Sequence, residues 1–329
     1  MIVFVTGGTG ALGLPTIAAL VARGHRVRAL AHTSASVAAL RAAGADPVPG
    51  SLFDRDTLGW AMGGARAVLH LATRIAPAPI AWRRSAWEEN DRIRVEGTGN
   101  LVNRALAKGV DVLVYPSFAP IYADGGARWL SHGSPLAPTD VLESTVVAEE
   151  LVHRFTVSGR RGVVLRMAGI YGPHSAATRT ALDLGRRGVS PFVGRADAYQ
   201  PLVWDEDAAA ALVAAVETPW LCGTFDVADD EPATRTQLAD ALAEAVGRRV
   251  RRPPTPLVRV ALGRRMEFLL RSQRVSNRRF VEATGWTPRV ATAADGLARL
   301  TTSAPTSPAP QFRHGAPTAP SRTARRPGP

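Results

Sequence analysis

Three glycines near the amino terminus carry the clearest chemical signal. Gly7, Gly10 and Gly13 fall within Thr6-Gly7-Gly8-Thr9-Gly10-Ala11-Leu12-Gly13, directly after the apolar run Met1-Ile2-Val3-Phe4-Val5 and before a helical pattern with Ile17, Leu20 and Val21 apolar. Strand, glycine turn and helix in that order is the setting in which this spacing cradles the pyrophosphate of a dinucleotide. Gly7 permits the tight turn, Gly10 lets a phosphate approach the backbone, and Gly13 lets the helix lie close to the strand. The free N–H groups and dipole of the helix N-terminus favour negative charge. The bland alternative is a tight turn with no ligand.

A second group sits near the middle of the chain. Ser117, Tyr122, His132, Asp140, Glu143 and Ser144 lie in or beside a loop rich in Gly, Pro and Ser. Tyr122 has packing as its default role. His132, among Ser131, Gly133 and Ser134, reads as a solvated loop histidine before it reads as a base. Ser117 lacks an evident base, and Glu143 is expected to face solvent. Arg271, Arg274, Arg278 and Arg279 could meet substrate anions, with Arg274 and Arg278 expected on one helix face; a solvated basic face is the competing reading. His, Cys, Asp and Glu show no metal-ligand spacing, so no metal is expected. Asp205-Glu206-Asp207 opens a helix, where acids complement the dipole. No Gly-x-Ser-x-Gly nucleophile elbow is present.

The elements that must position these groups alternate. Strands are expected at Val27–Ala31, from Asp46, over Ala65–Leu71, at Val112–Tyr115, Val163–Leu165 and Gly223–Val227. Helices are expected over Ser36–Ala43, up to Met62 behind an Asp54 cap, over Trp82–Lys108, Thr139–Ser158, Thr178–Gly188, Asp205–Glu217, Glu231–Val246 and within Arg274–Thr284. This alternation predicts an α/β fold, a Rossmann-type doubly wound parallel sheet whose ligands lie at the carboxyl ends of the strands. A domain is expected over 1–170, completed by part of 200–228, then a smaller C-terminal region over 171–300. Residues 301–329 are rich in Pro, Ala, Thr and Arg and are expected to be disordered.

Charge divides the same way. The chain has 329 residues and a net charge of +12, but residues 1–247 carry 23 Lys+Arg against 25 Asp+Glu, while residues 248–329 carry 17 Arg against 3 acids. Without a nucleic-acid fold signature, that basic third does not favour nucleic acid. No run of about 18 apolar residues exists, so no membrane span is expected. The single Cys222 and the lack of a signal peptide suit the cytoplasm. Only one lysine, Lys108, accompanies 39 arginines.

Residues 1–300 resemble the extended short-chain dehydrogenase/reductase superfamily, in its atypical NAD-dependent epimerase/dehydratase group. The residues that carry the resemblance are the TGxxGxxG stretch at Thr6–Gly13, His70-Leu71-Ala72-Thr73, Gly97-Thr98 with Asn100-Leu101, Ala168–Pro173, Val227–Pro232 and Thr284–Pro288. The resemblance implies cofactor contacts at Gly7, Thr9, Gly10, Ala11, Leu12, Gly13, Leu52, Leu71 and Ala72. It also implies a proton relay of Asn, Ser or Thr, and Tyr-x-x-x-Lys. The matching places here hold Arg94, Phe118, Val141 and Thr145, and no Tyr-x-x-x-Lys exists anywhere in the chain. The active site is therefore degenerate. Val, Phe and Thr cannot supply a phenolate near neutral pH. Ser117, Tyr122, His132 and Ser144 remain as candidates, and Arg94 either holds an anion in a pocket or lies on a helix surface.

The end of the second strand lacks the acid that grips a ribose 2′-OH. Ala31, His32, Thr33 and Ser34 stand there, and with Arg28 and His32 nearby NADP is favoured slightly over NAD. Three functions stay open: an NAD(P)-binding oxidoreductase of the epimerase/dehydratase type with rearranged acid and base; a redox-neutral cyclase, dehydratase or isomerase; and a non-catalytic dinucleotide sensor or partner-binding protein. A small-molecule substrate is expected, and whether it is anionic, and whether the protein is a homodimer, are left open.

Overall fold

The computed structural model describes residues 1–302. The expected disorder of the tail beyond them lies outside the described residues, whereas Thr301 and Thr302 close a helix. The first half builds β1 (Ile2–Thr6), α1 (Gly13–Ala22), β2 (Arg26–Ala31), α2 (Ser34–Ala42), β3 (Asp46–Pro49), α3 (Arg55–Ala61), β4 (Ala67–His70), α4 (Glu88–Arg92), α5 (Thr98–Ala107), β5 (Val112–Phe118), β6 (Trp129–Leu130) and α6 (Glu143–Val157). The second half builds β7 (Arg161–Met167), β8 (Gly169–Tyr171), α7 (Ala176–Arg186), β9 (Tyr199–Gln200), β10 (Leu202–Trp204), α8 (Asp205–Glu217), β11 (Gly223–Val227), β12 (Ala233–Thr234), α9 (Arg235–Val246), α10 (Thr255–Leu262), β13 (Arg274–Val275), α11 (Arg278–Thr284) and α12 (Ala293–Thr302).

Seven parallel strands form the central sheet in the order β11-β7-β5-β4-β1-β2-β3. The order reverses at β1 and β4, which opens the ligand crevice of a doubly wound sheet at their carboxyl ends. Alternation along the strands splits the core. Val3 and Val5 pack with Ile17, Leu20, Ala211 and Leu212 beneath α1 and α8. Phe4, between them, faces the opposite side with Leu58, Leu101, Ala148 and Phe155 from α3, α5 and α6. Burial on both faces explains the near-continuous apolar runs of the strands.

Residues after Tyr171 build a smaller core from Leu182, Phe192, Trp204, Leu238, Leu242, Val290 and Leu297. Three separate two-stranded ladders accompany it, β8 with β10, β9 with β12, and β6 with β13. Sequence periodicity did not mark these two- and three-residue strands, since a period of two needs more residues to show.

Four expectations need correction. The helix expected from Glu231 starts at Arg235, behind a Thr234 cap. The stretch over Trp82–Lys108 is not one helix: 3₁₀ turns precede α4, and a π turn at Ile93–Gly97 separates α4 from α5. α6 starts at Glu143 rather than Thr139. Arg274 lies on β13 and Arg278 begins α11, so the two share no helix face. The Asp54 cap is as expected, accepting from the backbone N–H groups of Asp56 and Thr57.

Candidate functional site

The glycine turn separates packing from vacancy. Gly7 has φ +71°, and a Cβ there would lie 2.5 Å from the backbone of Leu71 and Ala72. A Cβ on Gly13 would overlap the Gly8 carbonyl, and one on Gly8 would strike Leu40 and Ile17. Gly10 differs: its added Cβ would meet only the Gly7 carbonyl oxygen, at 3.3 Å. The protein's own backbone therefore demands Gly7 and Gly13, a side chain at Gly8 would displace the ends of Leu40 and Ile17, and Gly10 is the least crowded of the four. Thr9, Gly10 and Ala11 form an exposed lip, with Leu12 half-buried behind it. The first turn of α1 has no side-chain cap and no acid; Gly13 N–H is bonded to the Gly10 carbonyl and Pro15 has none, which leaves the N–H of Leu14 for an anion. A free donor beside the least crowded glycine fits a pyrophosphate.

The turn is anchored from below. His70 Nδ1 lies 2.7 Å from Thr6 Oγ1 and its Nε2 3.0 Å from Thr98 Oγ1. Burial, and then the charge of Arg94, push the His70 imidazole down to about 3, so it bridges the two hydroxyls as a neutral ring. Gly97 packs against Leu52, and Asn100 donates to the Leu52 carbonyl at 3.1 Å while accepting from Arg55. The Gly97-Thr98 and Asn100-Leu101 stretch thus ties α5 to the end of β4 and to Leu52.

Arg28 leaves the set of cofactor candidates. Its guanidinium donates to the Gly63 carbonyl at 2.9 Å, in the turn that precedes β4, and lies 5.6 Å from the Trp60 ring centre. That turn is at the amino edge of the sheet, away from the crevice. His32 stays exposed at the carboxyl end of β2, where Thr33 caps α2.

The four positions that the resemblance matches to a proton relay fall into two settings. Val141 is fully buried, and Phe118 meets Phe268 edge to face at 6.2 Å. They share an apolar cluster with Ala81, Trp87, Ile121 and Met266. The other two places meet each other: Arg94, on the π turn, donates to the Thr145 hydroxyl on α6. Arg94 is 4% exposed, so its reading as a helix-surface arginine is overturned. Lys108 closes α5 just before β5 begins, at the opposite edge of the sheet.

Ser117 and Tyr122 belong to a buried chain of polar groups. Ser117 donates to Glu149, which pairs with Arg166 at 2.7 Å and 3.0 Å. Arg166 also donates to Tyr122 Oη at 3.0 Å and to the His132 carbonyl at 3.2 Å, and Tyr122 donates to Asp226 at 2.6 Å. Burial alone would lower Arg166, but the hydrogen bonds and charge of Glu149 outweigh it and hold it above its ordinary value. Burial pushes Asp226 up to about 7, and burial with the Asp226 charge raises the Tyr122 phenol. With its hydroxyl committed and its phenol raised, Tyr122 is no acid for a substrate. His132 is exposed, with burial and the charges of Arg279 and Arg166 lowering its imidazole. Ser144 is buried, and its hydroxyl has no partner.

A C-terminal strap packs against the apolar cluster of Phe118 and Val141. Met266 and Phe268 lie on a 3₁₀ segment, Arg264–Leu270. Buried Arg235 donates to the carbonyls of Leu269 and Arg271, both at 2.8 Å, and Arg271 donates to the carbonyls of Tyr122 and Ala137. Arg274 stacks on Trp129 at 4.0 Å, Arg278 pairs with Glu282, and Arg279 donates to the Thr224 carbonyl. These arginines bind the protein's own groups, which fits neither a substrate-anion cluster nor a wholly solvated basic face. Beside the strap opens a cleft of about 770 Å³, between Trp82, Pro138–Asp140 and Val260–Arg265.

Glu149, Arg166, Asp226, His70 and Tyr115 were not among the sequence candidates. Two carried a readable signal. Arg166 interrupts Val163-Val164-Leu165 in a fully buried strand, and Glu149 shares the buried face of α6 with Thr145, Ala148 and Val152. A charge at a core position needs a partner.

Comparison with known proteins agrees with this geometry. The model of the NAD dependent epimerase/dehydratase family matches residues 3–223. A Streptomyces protein named 3-diazoavenalumate denitrifying reductase is 34% identical over 319 residues, covering 91% of this chain and all of that one. Human epimerase family protein SDR39U1 is 27% identical over 295 residues, covering 87% and 94%. In fold, the crystal structure of that human protein with NADPH superposes with a TM-score of 0.75 at 24% identity, over 92% of this chain and 99% of the other. UDP-glucose 4-epimerase of Thermus thermophilus in complex with NAD gives 0.71 at 23% identity, over 91% and 97%.

Proposed function

The chain belongs to the NAD-dependent epimerase/dehydratase family, and within it we propose an NAD(P)H-dependent reductase that removes dinitrogen from a small aryl diazonium compound. The observation that carries this reading is the contrast between an intact cradle at Gly7–Gly13 and relay places filled by Phe118 and Val141 in an apolar cluster. Hydride delivery to a carbonyl leaves an alkoxide that a proton donor must quench. An aryl diazonium needs no such donor: the hydride pair forms the C–H bond, and dinitrogen departs with the C–N pair. The similarity to a denitrifying reductase over the whole of that protein supports the same class of reaction here.

Bound, the reduced nicotinamide would supply the hydride. Gly10 and the uncapped first turn of α1 would hold its pyrophosphate, with His32 near the adenosine ribose. Phe118, Val141, Met266 and Phe268 would seat a flat ring and keep water from the electrophilic carbon, which water would otherwise convert to a phenol. The cleft beside Trp82 would be the entry. NADP is favoured slightly over NAD by the lack of an acid after β2.

The test is reduction of an aryl diazonium by protein and NADPH deuterated at the transferred position, against a blank without protein. The expected result is protein-dependent loss of the reduced-nicotinamide absorbance, dinitrogen release and one deuterium on the arene. Turnover of ketones alone, or an arene hydrogen drawn from solvent, would defeat the proposal. Product formed without any absorbance change would select the redox-neutral alternative.

A further inference from the structure

The geometry points to Arg94 as an anchor for an oxygen anion or oxygen-acceptor group of a bound ligand. This rests on the carboxyl edge of the sheet being the ligand site, and not on the diazonium chemistry. Arg94 is nearly inaccessible, yet no carboxylate lies within ion-pair distance of it among the described residues. Its one hydrogen bond goes to Thr145, its Nε is buried without a partner, and its other terminal nitrogen makes no bond. Glu149, the nearby acid, is spent on Arg166 and Ser117.

A second group points the same way. Tyr115 is 1% exposed, and its hydroxyl has no partner. The charge of Arg94 reaches this phenol, although burial dominates and raises it. Arg94 Nε and the Tyr115 hydroxyl are thus two buried donors without partners. A buried guanidinium without a counter-charge is costly, and a structure keeps it only where something meets it. The planar fork suits a carboxylate or a vicinal diol. Two sources share that chemistry: the sugar oxygens of the dinucleotide, and a carboxylate on the substrate.

Arg94→Met separates the readings, because it removes the charge and keeps most of the volume. The ligand-free variant is expected to melt roughly 2–5 °C above the parent, since an unpaired buried charge has been removed. Affinity then falls about tenfold in one of two titrations. A loss with NADPH alone assigns the anchor to the dinucleotide. A loss only for 4-hydroxybenzoate added to the NADPH-saturated protein, with its methyl ester unaffected, assigns it to the substrate. Arg94→Lys should retain part of the lost affinity. A lower melting temperature in Arg94→Met, or both affinities unchanged, overturns the inference. Failure of diazonium reduction with these results intact would sink the proposed function and leave Arg94 standing.

Discussion

The turn after β1 and the site between β5 and α6 lie at the same edge of one sheet, yet they differ in what constrains them. The first is made of backbone. Gly7 and Gly13 are fixed by backbone collisions with Leu71, Ala72 and Gly8. The second is made of side chains: Arg94 donates to Thr145, and Phe118 and Val141 join an apolar cluster. A cradle cannot be altered without refolding the crossover. Reaction chemistry can be replaced residue by residue on an unchanged scaffold.

The largest break in this comparison comes from the turn. Gly13→Ala or Gly7→Ala is expected to cost more than about 4 kcal/mol, read as lost soluble protein or a collapsed melting transition, because neither backbone contact can yield. Next comes the buried pair behind the relay. Glu149→Gln leaves Arg166 charged and uncompensated and should cost about 3–5 kcal/mol in denaturant titration, whereas replacing both with apolar residues of similar volume should cost far less. Val141→Tyr tests whether the relay can be put back by one residue. The site is fully buried, so overpacking by about 1–3 kcal/mol is expected with no gain in ketone reduction, as no lysine stands nearby. Gly10→Val sharpens the other side: stability should change by less than about 1 kcal/mol while NADPH affinity drops at least tenfold, and an unchanged affinity would remove the pyrophosphate from this lip.

A further test is a pH dependence. Burial pushes Asp229 up to about 8, above its unfolded value near 4. A carboxyl raised on folding stabilises fully below the unfolded value, and that contribution is lost as pH rises toward the folded one. Melting temperature should therefore decline between about pH 4 and pH 8. Asp229→Asn, neutral throughout, should flatten the decline, and identical slopes would mean that Asp229 does not titrate there.

Much of the sheet and the whole glycine turn were legible in the sequence, because both follow from period and local sterics. Asp54 read correctly as a cap for the same reason. The absence of Tyr-x-x-x-Lys is plain in the sequence, since the one lysine, Lys108, has Arg104 four residues before it. Legibility failed where the determinant was a partner distant in sequence. Arg28 reads as a cofactor contact from its position on β2, but its side chain turns to Gly63. Arg271 and Arg279 read as either anion binders or a solvated basic face, but backbone carbonyls claim them. Glu149 needed Arg166 to explain it, and neither is informative alone. Arg94 was divided evenly between surface and pocket because its direction depends on a π turn that no pattern of residue types announces.

That π turn at Ile93–Gly97 has a consequence of its own. Each such turn holds one residue more than the helix around it, so it acts as a phase shifter of about 100° between the segments it joins. α5 can keep Thr98, Asn100 and Leu101 pressed on the sheet while the residues before it are set at an independent rotation. A deletion of one codon within 93–97 would reset the phase and swing every residue on one side of the cut to a new bearing. The identity of the residue at this edge and the direction it faces are thus separately adjustable, one by substitution and the other by length.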